Sequence, residues 1–105
     1  MSHQSVSPPE ARAVREKLGM LRQLPRKQIV DLPPTEEAEI SLEGKRHQLV
    51  VWHETRGSGE EWVVVQLYRP IGLGGSRRVY GEGFAVSTQG EQRALSAAEV
   101  DQFTR

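Results

Sequence analysis

Three long segments between Arg46 and Thr88 alternate apolar with polar residues, and glycine turns separate them. They are Arg46–Glu54 (RHQLVVWHE), Trp62–Arg69 (WVVVQLYR) and Arg77–Thr88 (RRVYGEGFAVST). Period-two alternation rich in valine and aromatics predicts strands. Gly57-Ser58-Gly59 and Gly72-Leu73-Gly74-Gly75 supply the turn chemistry between them. Strands that follow one another through such short turns pair as antiparallel neighbours, so the order predicts a meander.

The flanks extend this frame. Ser7-Pro8-Pro9-Glu10 has the residue order of a helix start, with serine at the cap, proline at the first helical position and glutamate at the third. Ala11, Val14, Leu18 and Leu21 then recur at three- and four-residue steps, placing a narrow apolar stripe on a helix whose other side is basic. Gly19 weakens that helix and Pro25 ends it. Residues 25–37 follow neither period and contain Pro33-Pro34, which favours an extended linker. Ala38–Glu43 reads as an acidic edge strand, and Gly44-Lys45 turns the chain into the next. Glu91–Leu95 is a candidate fifth strand, and Leu95-Ser96-Ala97-Ala98-Glu99 holds a second capping box, opening a short helix with Val100 and Phe103 facing inward.

The expected architecture is therefore α+β. A disordered tail over 1–7 precedes a short amphipathic N-terminal helix over 8–24 and a linker over 25–37. An antiparallel meander of four to five strands with a short C-terminal helix fills 38–105. With 105 residues and 36 % hydrophobic content, this is one small domain with a thin core.

Side-chain parity on the two central strands sorts residues by face. Pairing Val51 with Val63 collects Leu49, Val51, Val63, Val65 and Leu67 on one face. Arg46, Gln48, Val50, Trp52, Trp62, Val64, Gln66 and Tyr68 share the other. A slip of one residue would scramble this division, because all side chains of a strand change face together.

Charge excludes little. Fourteen basic residues balance fourteen acidic ones. Locally, residues 1–30 hold six basic against two acidic residues, while 31–45 hold one basic against five acidic. These two segments either attract each other or are separately solvated. Without cysteine, disulfides and thiol chemistry are excluded. No apolar run is long enough to span a bilayer and the first residues do not resemble a signal peptide, so a cytoplasmic location without a membrane partner is expected.

The candidate binding set is aromatic and basic: Trp52, Trp62 and Tyr68 flanked by Arg46, Arg69, Arg77 and Arg78. Such a face can stack bases while arginines meet phosphates. It can equally be a pair of tryptophans buried under the N-terminal helix or a second subunit. The glycine loop beside Arg77-Arg78 lacks the spacing of a phosphate-binding loop and reads as a mobile hairpin tip. Gly81 and Gly83 mark a bulge or strong twist. His47 and His53 are too far apart along one strand to share a metal, so neither metal nor cofactor is expected. Ser58 does not lie in a nucleophile elbow. Glu54, Glu60 and Glu61 cluster at one hairpin, where Glu54 and Glu61 could approach across the pair.

The four-stranded meander closed by the capped helix at Leu95-Ser96-Ala97-Ala98-Glu99 resembles the single-stranded-DNA-binding domains of a family of transcriptional coactivators. That similarity covers element order over Lys45 to Phe103 and implies no particular binding residue. The expected role is a non-catalytic interaction module that binds a protein partner or itself as a homodimer. Single-stranded nucleic-acid binding through the aromatic–arginine face is the alternative, and a small enzyme using the hairpin carboxylates is a third.

Overall fold

Five antiparallel strands form one open sheet in the order β1-β2-β3-β4-β5. They are β1 (Thr35–Leu42), β2 (Lys45–Thr55), β3 (Glu61–Pro70), β4 (Ser76–Val86) and β5 (Gln92–Ala94). Helices α1 (Pro8–Arg22) and α2 (Arg26–Val30) precede the sheet, and α3 (Ala97–Val100) follows it. The computed structural model describes residues 8–105. The expected tail over 1–7, with Ser7 as a helix cap and His3, lies outside the described residues. The α+β meander is as the alternation predicts.

One segment differs from its sequence pattern. Residues 25–37 include a turn of helix, α2, where Gln28 and Ile29 donate backbone hydrogen bonds to the Pro25 carbonyl at 2.9 and 3.2 Å. Proline ends α1 but also starts α2, since its missing N–H costs nothing at a helix start. The turn carries Ile29 into full burial beside α1. Tertiary packing, not a period too short to detect, makes this helix.

The division into two faces holds. Val14, Leu18, Leu21 and Ile29 pack on Leu49, Val51, Val63, Val65 and Leu67, joined by Phe84 and Val86. Across the sheet, Trp62, Val64, Ala85, Leu95 and Val100 form a second cluster with Trp52 and Phe103 against it. The register itself is shifted by two residues from the expected one: Val51 faces Val65, and His53 faces Val63. The hairpin turn causes this. Arg56 and Glu60 close a loop of three residues, with Gly59 in the left-handed region at φ 93° donating back to the Arg56 carbonyl. The strands therefore pivot about Ser58 and not Gly57. A shift of two keeps every side chain on its face, so the core survives the error.

The aromatic face is covered by the other end of the chain from the one expected. α3 and the residues after it lie there, while α1 occupies the aliphatic face. Gly83 permits this approach. A Cβ at that position would stand 2.7 Å from the Val63 carbonyl oxygen and 2.9 Å from the Leu95 side chain. The expected irregularity in β4 lies nearby: a bulge shifts the ladder so that Leu67 faces Tyr80 but Tyr68 faces Arg78. Arg78 is thereby turned onto the aromatic face, away from Arg77.

Candidate functional site

The aromatic–arginine face is assembled as a closed layer. Gln66, fully buried at its centre, accepts from Trp52 Nε1 at 2.9 Å and from the Tyr68 hydroxyl at 2.6 Å. Its amide donates to the carbonyls of Phe103 and Val100 at 2.8 and 3.2 Å. One side chain thus ties both aromatics to the C-terminal segment and leaves no polar group of its own unpaired. Phe103 then lies between the tryptophans, 5.9 Å from Trp52 and 6.4 Å from Trp62 by ring centroid.

Arginines complete the cover, but mostly not those picked out by sequence. Arg56 sits 4.0 Å above the Trp62 ring and Arg105 sits 5.5 Å above Tyr68. Arg93 holds Glu60 and Glu99, and lies 5.9 Å from Trp62. Trp62 and Tyr68 are each 5 % exposed, and Trp52 is half-buried. Burial pushes the Tyr68 phenol upward from its ordinary range. Stacking a base on these rings would require Phe103 or an arginine to leave. Arg56, Arg93 and Arg105 went unnoticed in the sequence, as did the contacts of Gln66 and Phe103, because a cation–π or amide contact between distant elements has no local spacing.

The four arginines of the candidate set are dispersed. Arg46 on β2 pairs with Glu39 on β1 at 3.0 Å, and Arg78 pairs with Asp101 at 2.5 Å. Arg69 and Arg77 face each other across the β3–β4 ladder. Their strand parity places them on the α1 side of the sheet, opposite the aromatics.

The hairpin carboxylates do not form the expected pair. Glu54 lies opposite Trp62 and Thr55 opposite Glu61, so Glu54 and Glu61 point to opposite faces. Glu61 is buried among His53 Nε2 at 2.7 Å, Thr55 Oγ1 at 2.7 Å and Arg26 Nη2 at 3.5 Å. Glu54 pairs with Arg56 at 2.6 Å. In Glu60 the carboxyl is held below its ordinary range by hydrogen bonds from Arg93 and then Trp62. His47 and His53 each bind a separate glutamate, and no group of three metal-ligating side chains occurs among the described residues. Glu10 and Glu61 link helices to strands through His47 and Arg26, while an open cleft of about 380 Å³ lies beside His53 and Glu54, lined also by Trp52 and Phe103.

Two open features stand out among the described residues. The first is the outer edge of β1, which pairs only with β2. The His53 N–H bonds the Pro34 carbonyl at 3.0 Å, and this fixes the alternation of the ladder. Residues 36, 38, 40 and 42 turn their backbone groups to β2, whereas Thr35, Glu37, Glu39 and Ser41 turn theirs outward. The second is the β3–β4 tip. β2 stops pairing with β3 at Gln48–Tyr68, although β3 and β4 continue together to Pro70–Ser76. The two hairpins therefore part, leaving an open cleft of about 550 Å³ lined by Glu39, Arg46 and Gln48 on one side and the Pro70–Ser76 loop on the other.

Comparisons with protein-family models, curated proteins and solved structures find no match to this chain. Among the described residues no helix is long and apolar enough to cross a membrane.

Proposed function

We propose that this chain is a non-catalytic interaction module that receives an extended segment of another protein along the outer edge of β1. The observation that carries this reading is the edge itself: eight residues long, exposed through most of its length, with four residues turning backbone donors and acceptors to solvent. An added strand gains its affinity from those main-chain groups and its selectivity from side chains on alternate faces. α1 lies over β3 and β4 on one face and the C-terminal segment lies over the aromatics on the other, and of the two sheet edges β1 is the longer, with eight residues against three in β5.

Charge argues for a foreign strand over a second copy. Glu36, Glu37 and Glu39 would crowd against their own counterparts in a β1–β1 pair, and like charges across strands repel. Arg105 and Arg46 pair with Glu37 and Glu39 at the exposed surface, where such pairs offset only part of the charge, so neutral and basic segments both fit while acidic ones do not. Against nucleic-acid binding through the aromatic face stands the burial of Trp62 and Tyr68, each 5 % exposed.

Amide hydrogen exchange tests the reading. Short peptides alternating valine with lysine, serine or glutamate are added in turn. The lysine and serine peptides should slow exchange at Glu37, Glu39 and Ser41. Methylating alternate peptide nitrogens should weaken binding about tenfold, because hydrogen bonds worth about 1 kcal/mol each are lost. Unchanged exchange along β1 with all three peptides would reject the edge as a binding site. Sedimentation reports the other occupant, since a dimer protecting the same amides would mean that β1 pairs with itself.

A further inference from the structure

Arg69 and Arg77 are directly opposed on the β3–β4 ladder, one rung before its end at Pro70–Ser76. Like charges at opposed positions destabilise a sheet. Among the described residues neither side chain has an ion pair or hydrogen bond, in contrast to Arg46 and Arg78 nearby. Beyond them the chain turns through Ile71-Gly72-Leu73-Gly74-Gly75. Ile71 is 62 % exposed and Leu73 completely so. Leu73 also holds φ 47°, a left-handed conformation that costs a leucine about 1 kcal/mol. A fully hydrated leucine at the apex of a projecting ribbon, with two unpaired arginines behind it, is costly in isolation and complementary to a surface that is apolar within and anionic at its boundary.

We propose that the β3–β4 tip is a peripheral anchor for anionic membranes, with Leu73 and Ile71 entering the boundary between headgroups and acyl chains and Arg69 and Arg77 meeting lipid phosphates. The dimensions agree. At about 3.3 Å per residue, the apex leads the arginine rung by roughly 10 Å, and interfacial apolar groups reach about 5–10 Å below the headgroups. Such a contact needs no spanning helix. The neighbouring β1–β2 turn presents Lys45 and Arg46 beside Glu43 and Glu39, so this end of the molecule does not oppose an anionic surface. A nucleic acid would satisfy the arginines but offers nothing to an aliphatic apex, which has no ring to stack. Two aliphatic side chains and two arginines give weak, reversible attachment, as a peripheral anchor requires.

The test is co-sedimentation of the whole chain with vesicles of phosphatidylcholine alone, or with about a third phosphatidylserine. Partition should be about thirtyfold stronger onto the anionic vesicles, as two arginines near such a surface imply. Arg69→Gln with Arg77→Gln should remove that difference. Leu73→Asp, at a position too exposed to disturb folding, should lower binding about tenfold or more. In Leu73→Trp, lipids brominated on the acyl chain should quench the added emission while leaving Trp52 and Trp62 unchanged. The proposal is overturned by equal binding to neutral and anionic vesicles, by unquenched emission at position 73, or by no binding to either. Stronger binding to polyglutamate or duplex DNA, insensitive to Leu73→Asp, would also overturn it and mark a general anion site.

Discussion

The Glu10 carboxylate lies 2.7 Å from Nε2 of His47, and both side chains are shut off from solvent. The other ring nitrogen, Nδ1, lies 3.0 Å from the Lys45 carbonyl. This contact pins the first turn of α1 to β2, at the far end of the helix from the Arg22–Gln92 hydrogen bonds. Removing either partner takes a short buried contact from the other. His47→Leu or Glu10→Leu alone should each cost about 3–5 kcal/mol in urea unfolding. The double substitution should cost less than the sum, because the Glu10–His47 contact is lost only once.

Gly83→Ala tests whether close approach of backbones seats the C-terminal segment. The added methyl meets a carbonyl at 2.7 Å, which no rotamer relieves. A loss of about 1–3 kcal/mol is expected, together with red-shifted tryptophan emission as Phe103 loosens over Trp52 and Trp62. Gly57→Ala, with nothing within 4 Å of the new atom, should leave the emission unchanged.

Gln66→Leu removes the amide that Trp52, Tyr68, Val100 and Phe103 share. The cost should be about 3 kcal/mol or more, since several buried polar groups lose a partner together. Loss of slow exchange at the Phe103 amide, with β2 and β3 protection retained, would locate the damage in the C-terminal segment. Unchanged protection there would show that the network contributes nothing to its docking.

Part of the acid sensitivity should lie at Arg93. Hydrogen bonds from Arg93 lower the carboxyl of Glu60, with Trp62 helping, and that of Glu99, with the Ser96 backbone helping. Folded values below the unfolded ones mean that the stabilisation is complete above the unfolded glutamate value of about 4.3. It is lost as pH falls through the lower folded values. The urea midpoint should therefore drop below about pH 4, and Arg93→Gln should show a shallower drop. Equal slopes for the two proteins would remove Arg93 from that role.

Much of the fold was legible in the chain. Alternation from Arg46 to Thr88 settled strand type and face, because a core face and a covered second face both demand period two. Ser96 and Glu99 announced α3, whose capping box forms as the spacing predicts. The register was not legible, since turn closure at Arg56–Glu60 depends on one glycine's backbone angle and not on composition. Of the candidate site, Trp52, Trp62 and Tyr68 do share one face, but their exposure could not be read. That depends on Phe103 and Arg105, some forty residues away in sequence.

Local periodicity by itself thus determined the elements other than α2, their antiparallel order and which side chains share a face, because each depends on neighbours within a few residues. Tertiary structure alone decided which face each helix covers, that the aromatic layer is closed by the C-terminal segment, and that Arg69 and Arg77 meet on a ladder while Arg78 turns away at a bulge. Those outcomes rest on close contacts between residues distant in the chain, where a few tenths of an ångström at Gly83 or one extra residue in β4 settles the arrangement.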